Sequence, residues 1–507
     1  MRRLSGLSKV TAVLIATLGL IAGVAISASA TPVLVSTIPA GDNPTNVALS
    51  SDGSRLYVMS ESSKQLQYFD TSTNTVTATY TLSSITDRRI TYIVLSPDGT
   101  KLYAAGEPTD TTQPSTIYVI DISGSTPVIR STITTGRQVA GLAITPNGQT
   151  LYAANEKSGT ISVINTVTNT VTATVEVTST TDPSKKLMSP WRVTVSPNGQ
   201  YYFVAFSAYA GLAPGYSGYA SLKVSDNTVV SQTEFGLYPS PGAQPYGLAI
   251  TSDGQFLYVS STVSGATANS WIKKIAINPN GSFGSVATTA NVPNTPADIA
   301  LSADNSQLFV TTRAAGSKFM VYPTSTMSSP TVLTLPGVQW ETMIAPSKQT
   351  SSHFAYVGAG GALWFSSPTI TNFYLVGEYL GPNNQVLNET TGTAFSSAAL
   401  TASGLSGTVT YSISPGLPSG LSFNSATGVI SGTVTCALPT SSYTISGSDG
   451  TSTAVATVSL TVTGSDCSSA ALANTGIHGA PLTLSAASLL IIGALAAFGA
   501  RRLARKK

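Results

Sequence analysis

The sequence predicts an all-β protein, a seven-bladed β-propeller followed by a β-sandwich, framed by an N-terminal secretion signal and a C-terminal membrane segment. Three observations predict it. Charged residues make up only 9% of the 507, while Ser, Thr, Gly and β-branched residues dominate, a composition that favours strands and turns over helices. One unit, typified by Val139 to Asn155 (VAGLAITPNGQTLYAAN), recurs along most of the chain. Its copies stand about 43 to 55 residues apart, the period of a propeller blade.

In chain order, residues 1–30 read as a signal peptide: Arg2, Arg3 and Lys9 precede the apolar run Val10 to Ile26, and Ala28-Ser29-Ala30 supplies a small-x-small cleavage site. Removing this segment and the basic tail 501–507 leaves 17 basic against 22 acidic residues, a net charge of −5 in place of the +3 of the whole chain. That balance lacks the basic footprint of a nucleic-acid binder.

The propeller is assigned to residues 31–370. Six copies centre on Asp52, Asp98, Asn147, Asn198, Asp253 and Asp304, and a seventh, WETMIAPSKQTSSHFAYVG, has lost its Asp-Gly. In each, a short apolar strand such as Val47-Ala48-Leu49 is the innermost, a Pro/Ser-Asp/Asn-Gly turn reverses the chain, and Leu-Tyr-Val or its equivalent returns it. Gly accepts the positive φ of the tight turn, and the preceding Asp or Asn bonds its own backbone. Third and fourth strands, such as ISVI at Ile161 and VTATVEV at Val171, complete a blade. The seventh copy is followed by no fourth strand, whereas VLVSTIP at Val33 to Pro39 precedes the first. The start of the mature chain is therefore expected to complete the last blade and close the ring.

The proline-led apolar strand, SPDG, LYVAN and a following V-x-V-I-D/N-T-x-T-N-T-V, complete at Val163 to Val171, resemble the YVTN repeats of surface-layer and lactonase-like seven-bladed β-propellers. The resemblance implies the fold and leaves the activity open.

Residues 371–386 read as a connector, and 387–464 as the sandwich. The stretch Tyr411 to Gly432 (YSISPGLPSGLSFNSATGVISG) is similar to the Ig-like modules of bacterial surface proteins, with strands expected at Tyr443 to Ser446 and Ala454 to Val462. The only cysteines, Cys436 and Cys467, fall in a secreted region where pairing is allowed, and either a disulfide or two thiols fits the sequence.

In the last segment, 465–507, Leu472-Ala473-Asn474-Thr475-Gly476 stands before the apolar run 482–500 and the basic tail 501–507. That order resembles a sortase sorting signal of the LAxTG kind. The resemblance implies cleavage between Thr475 and Gly476, with sortase as processing partner and cell-wall peptidoglycan as acceptor. A plain single-span membrane protein is the alternative, and both place the body of the chain outside a Gram-positive cell.

A propeller puts the loops leading into the inner strands on one face and the Asp-Gly turns on the other. The turn side is nearly constant among the copies and the opposite face varies, which places recognition on the variable face. The candidate ligand-binding residues there are Arg88, Arg89, Arg137, Trp191, Arg192, Tyr246, Asp298, Trp340 and Glu341, with the loop Tyr209 to Tyr219 able to overhang them. Aromatics beside charges suit an extracellular glycan or protein; the plainer alternative is that they plug the channel.

Catalysis has little to work with. The body holds one histidine, His353, so no Ser-His-Asp or His-rich metal set is expected, and no cofactor or metal is called for. A carboxylate pair, Asp298 and Glu341, is the remaining enzymatic option. The expectation is a cell-surface, wall-anchored binding or scaffold protein; a surface-held hydrolase of lactonase type and a structural surface-layer component are the alternatives.

Overall fold

The computed structural model describes residues 33–465 except 45, 209–213, 238–241, 264–265, 314–316, 337–342, 349–352, 359–371, 378, 382–384, 404, 406–407 and 450–452. Residues 1–30, read as a signal peptide, and 466–507, read as a sorting region with its apolar run, lie outside these residues. Among the described residues no helix is long and apolar enough to cross a membrane.

Seven four-stranded antiparallel sheets form the blades of the propeller. Blade one uses Asn46–Leu49, Arg55–Met59, Gln65–Asp70 and Thr75–Thr81 in that order from the centre outward. Blades two to six repeat the scheme, with inner strands Arg89–Leu95, Val139–Ile144, Pro190–Val195, Gln244–Ile250 and Thr295–Leu301. The seventh has Ile344–Pro346, Phe354–Val357 and Asn372–Gly377, and its outer strand is Val33–Pro39, paired antiparallel with Asn372–Gly377. The first described strand of the chain thus closes the ring, as the strand count demanded.

The pairing also corrects the predicted boundary at 370. Asn372–Gly377 belongs to the seventh blade and not to a connector, and the sandwich already begins at Tyr379–Gly381, which pairs with Thr401–Ser403. Its four residues Phe373 to Val376 are each 3% exposed or less, packed on both faces. Such a strand reads as an unbroken apolar run without the period-two alternation that identifies a half-buried one.

The repeated turn explains itself in hydrogen bonds. At Asp52 the carboxylate Oδ1 accepts from the Ser50 hydroxyl at 2.6 Å and from the Ser54 amide at 3.1 Å, and Ser50 Oγ in turn accepts from the Arg55 amide at 2.9 Å. Asp98, Asn147, Asn198, Asp253 and Asp304 repeat the arrangement. Where blade six replaces Gly, Asn305 takes the positive φ of 60°, as Asn tolerates better than most residues. The Thr that follows the third strand locks the turn from below: the hydroxyls of Thr71, Thr166 and Thr324 donate to the carbonyls of Gly53, Gly148 and Asn305.

The core lies between blades. The aromatic of each Leu-Tyr-Val strand (Tyr57, Tyr103, Tyr152, Phe203, Tyr258, Phe309, Tyr356) is 5% exposed or less. Between blades seven and one, for example, Tyr356 and Phe373 pack on Phe69, Val58 and Ile38.

The Ig-like module packs a four-stranded sheet (Gln385–Thr390, Thr453–Thr463, Leu438–Ser448, Thr410–Ser414) with a three-stranded one (Ala394–Ser396, Val429–Thr433, Leu421–Asn424). Ile430, Ile445, Val458 and Leu460, all fully buried, form its centre. The glycines of its GLPSGLSF and TGVISG signature have a shared reason. Gly420 (φ 94°) and Gly432 (φ 138°) lie so close that a Cβ on Gly432 would stand 2.1 Å from the Gly420 carbonyl oxygen.

Candidate functional site: the mouth of the propeller channel

The inner strands enclose a cavity of about 310 Å³ whose wall includes Tyr92, Leu142, Arg192, Leu248, Asp298 and Ile344, drawn from blades two to seven. Its lining continues through Ile144, Pro146 and Val195 toward the turn-bearing face, and the side chains at the other end of the inner strands are aimed by a repeated irregularity. In blades two to six the pairing of the inner strand with the second strand shifts register between Ile90 and Tyr92, Val139 and Gly141, Pro190 and Arg192, Pro245 and Leu248, and Pro296 and Asp298. Bulges of this kind bend a strand and re-aim its side chains. The variable positions therefore sit where the ladder is interrupted, free of the constraint that keeps the rest of the repeat constant.

Four sequence-predicted residues come together there. The rings of Trp191 and Tyr246 meet edge to face at 5.4 Å. Arg192 lies over the Tyr92 ring at 4.9 Å, donates to the Ala140 carbonyl, and stands with its Nε 3.8 Å from Asp298 Oδ1 across the channel. Gly141 makes room for this, since a Cβ there would lie 2.8 Å from the Trp191 carbonyl oxygen. Asp298 Oδ2 accepts the Ile344 amide at 3.1 Å, a strut from blade six to blade seven. Burial raises the Asp298 carboxyl above its ordinary range, against the pull of Arg192. Burial likewise pushes the Tyr92 phenol up to about 12, so it stays neutral.

The other predicted residues lie elsewhere. Arg89, 3% exposed, is fully engaged between Glu61 (Nη1 to Oε1, 2.8 Å) and Glu107 (Nε to Oε2). Arg88 donates to Glu107 at 2.7 Å, and the Tyr118 hydroxyl donates to neighbouring Asp87 at 2.9 Å. This cluster fastens blade one to blade two. Arg137 donates to the Lys157 carbonyl at 2.8 Å and so holds the 3-10 turn Glu156–Ser158. Trp340 and Glu341 lie outside the described residues, as do Leu472 to Gly476 and Cys467; Cys436 follows the strand Val429–Thr433. Of the predicted overhanging loop, residues from Tyr216 onward form a strand, Tyr216–Lys223.

Sequence reasoning missed Arg313, the last residue of Gln307–Arg313. Its guanidinium lies over both mouth aromatics, 4.5 Å from the Tyr246 ring and 5.2 Å from Trp191. A signal for it was present. Counting along the Leu-Tyr-Val strand, the equivalent position is Glu61, Glu107 and Glu156 in the first three blades and Arg313 in the sixth. The three glutamates clasp the loops leading into inner strands, Glu61 and Glu107 through Arg89 and Glu156 through the Gln138 side-chain amide. At Arg313 the charge is inverted.

One triad-like grouping occurs on the opposite, turn-bearing face. Ser306 Oγ and Asp304 Oδ2 each lie 3.1 Å from His353. Both meet the same nitrogen, Nε2, so no path leads from the acid through the ring to the hydroxyl, which nucleophilic activation requires. Asp304 and Ser306 are the turn residues of blade six, and His353 braces that turn from blade seven. Among the described residues no group of His, Cys, Asp and Glu is placed to hold a metal ion.

Comparison with known proteins agrees with this architecture. Residues 24–184 match the family described as "Lactonase, 7-bladed beta-propeller", and residues 377–463 match the family described as "Putative Ig domain". The β-propeller domain of Cps50 (Swd1) from Myceliophteria thermophila is 12% identical, with a TM-score of 0.51 over 68% of this chain and 99% of that one. It shares the fold alone. Hydrazine synthase from Kuenenia stuttgartiensis is 17% identical, with a TM-score of 0.49 over 65% of this chain and 94% of that one. No curated protein matches the chain.

Proposed function

We propose that this is a non-enzymatic cell-surface protein whose propeller binds an extracellular glycan or protein at the channel mouth, with the Ig-like module as a spacer. The observation that carries the reading is the Trp191, Tyr246, Arg313, Arg192 cluster: aromatic and guanidinium groups gathered at the start of the inner strands, three of them at or beside the bulges and Arg313 at the end of a second strand, the composition of a binding hot spot. A carboxylate reading of the same place is weakened by Asp298, whose two oxygens face Arg192 and the Ile344 amide. On a panel of glycans and matrix proteins, Trp191→Ala is expected to weaken the bound ligand by about 30-fold or more, with the melting temperature little changed. Equal binding by wild type and variant would remove the mouth from consideration.

The signal peptide and the order LANTG, apolar run and basic tail support covalent attachment of Thr475 to the wall by a sortase. Muralytic digestion is then expected to release the protein into the soluble fraction. Retention with the membranes would point instead to a plain single span.

A second reading, a surface-held hydrolase of lactonase type, is favoured by the family match over residues 24–184. Turnover on a lactone panel that Asp298→Ala and Glu341→Ala abolish would establish it in place of the first.

A further inference from the structure

We infer that the Ig-like module is a tension-bearing element, whose first and last long strands form a clamp against a pull between the propeller and the C-terminal end of the chain. The inference rests on the surface-anchored binding reading above, which sets a ligand on one side of the module and the wall on the other. It begins from a topological fact. Among the described strands, Gln385–Thr390 and Thr453–Thr463 are the one pair that runs parallel, with partners from Gln385 opposite Val458 to Thr390 opposite Thr463.

Direction decides how such a ladder fails. The chain enters the first strand at Gln385 and leaves the last at Thr463, so in a parallel pair the two points of attachment lie at opposite ends. A pull along the chain slides one strand past the other and strains all six residue pairs together, through bonds that a parallel ladder spaces evenly. In an antiparallel pair both attachments would stand at one end and the bonds would open in turn. No single backbone bond is strong. The resistance comes from breaking them in one step, because forced unfolding is governed by the unfolding rate and not by equilibrium stability. The short pair Tyr379–Gly381 with Thr401–Ser403 stands ahead of the clamp and yields before it.

The exit from the last strand is fastened as well. The Thr391 amide donates to the Thr463 carbonyl at 2.9 Å, the Thr463 hydroxyl to the Glu389 carbonyl at 3.2 Å, and the Ser465 amide to the Thr391 hydroxyl at 3.3 Å. Gly464 (φ 136°) allows this approach, since a Cβ there would stand 2.1 Å from the Thr391 Oγ1. The Ser465 carbonyl accepts from the Ala437 amide at 2.9 Å. Beside Ala437, Cys436 is disulfide-bonded, and the sequence offers it one partner, Cys467. That bond closes both long strands, Leu438–Ser448 and Thr453–Thr463, into one loop. The last strand, which also holds nine residue pairs with Leu438–Ser448, then cannot be drawn out by its own end. Tension must break its ladder with Gln385–Thr390 instead.

The test is single-molecule force spectroscopy on the full-length protein in detergent, tethered at Asp110→Cys, an exposed propeller residue, and at the C-terminus. The Ig-module step is told from unravelling of the propeller by its shorter length. It is expected at a higher force than when the second tether is moved to Asp449→Cys, which precedes Thr453 at the Gln385 end of the ladder, where the same bonds peel from Gln385 onward. Matching thermal midpoints of the tethered variants show that the difference lies in direction and not in stability. The double change Cys436→Ser, Cys467→Ser is expected to lengthen the step along the chain by about 100 Å, the extended span of residues 437–466; if that variant does not fold, the two directions compared with both cysteines in place carry the test. Neither ligand nor wall enters these measurements, so failure of the surface-anchored reading shows in the ligand panel and the muralytic digestion, and failure of the clamp shows here. An unchanged step length in the double variant overturns the closed loop, and equal forces in the two directions, or a lower force along the chain, overturn the inference.

Discussion

Arg89→Ala is expected to destabilise the propeller by about 3–5 kcal/mol, the range for removing one partner of a buried ion pair. The wild-type side chain is 3% exposed and lies between Glu61 at 2% and Glu107 at 1%. Deleting the guanidinium takes from Glu61 and Glu107 the buried cation they share and leaves Glu107 its ion pair with Arg88, in a place where a carboxylate that loses compensation is pushed toward taking up a proton. Asp87 worsens the position: it is buried close to Glu107, and burial already raises its carboxyl above the ordinary range. The loss should therefore be largest near neutral pH and smaller in acid, where the carboxylates that lost the guanidinium can protonate. Urea unfolding of the wild type and variant at pH 7 and pH 5 measures both quantities. The triple change Arg89→Met, Glu61→Gln, Glu107→Gln is expected to recover much of the loss, because replacing a whole buried ionic group is far less costly than halving it. A single-variant effect below about 1 kcal/mol would mean the cluster is hydrated, contrary to its burial.

The same residue shows where sequence reading stops. Arg89 and Trp191 were both placed on the variable face by one topological fact, that loops leading into inner strands share a side, and the structure puts both there. What each residue does depends on its neighbours across the blade boundary, which the period of the repeat does not encode. Glu61 and Glu107 turn Arg89 into a fastening, while Trp191 and Tyr246 meet the guanidinium of Arg313. The turns and the order of strands were legible because each is a local matter of Asp, Gly and alternation within some fifteen residues. The seventh blade was the hard one, since it lacks the Asp-Gly turn and its third strand, Asn372–Gly377, is apolar on both faces and so reads as continuous rather than alternating. The bulges at the mouth were invisible for a related reason: an inserted residue leaves the apolar pattern of a six-residue or seven-residue strand almost unchanged.

The closing strand carries the second large expectation. Deleting Val33–Pro39 is expected to leave the protein unable to hold its seventh blade, seen as aggregation on secretion or as a sharply lowered melting temperature. Six residue pairs join this strand to Asn372–Gly377. Its loss exposes the hydrogen-bonding edge of an apolar strand, the kind of edge that recruits other chains. It also removes Ile38, 5% exposed, from the cluster with Phe69, Tyr356 and Phe373 between blades seven and one. The effects of the two parts can be separated. Ile38→Ala keeps the edge covered and should cost about 2–5 kcal/mol through the cavity alone, without aggregation. The deletion adds the open edge and a ring whose last blade is tied to the first from one side only. If the deleted protein remains monomeric and melts close to the Ile38→Ala variant, the ring does not depend on closure, and the stacking of neighbouring blades through their buried aromatics is enough to hold it.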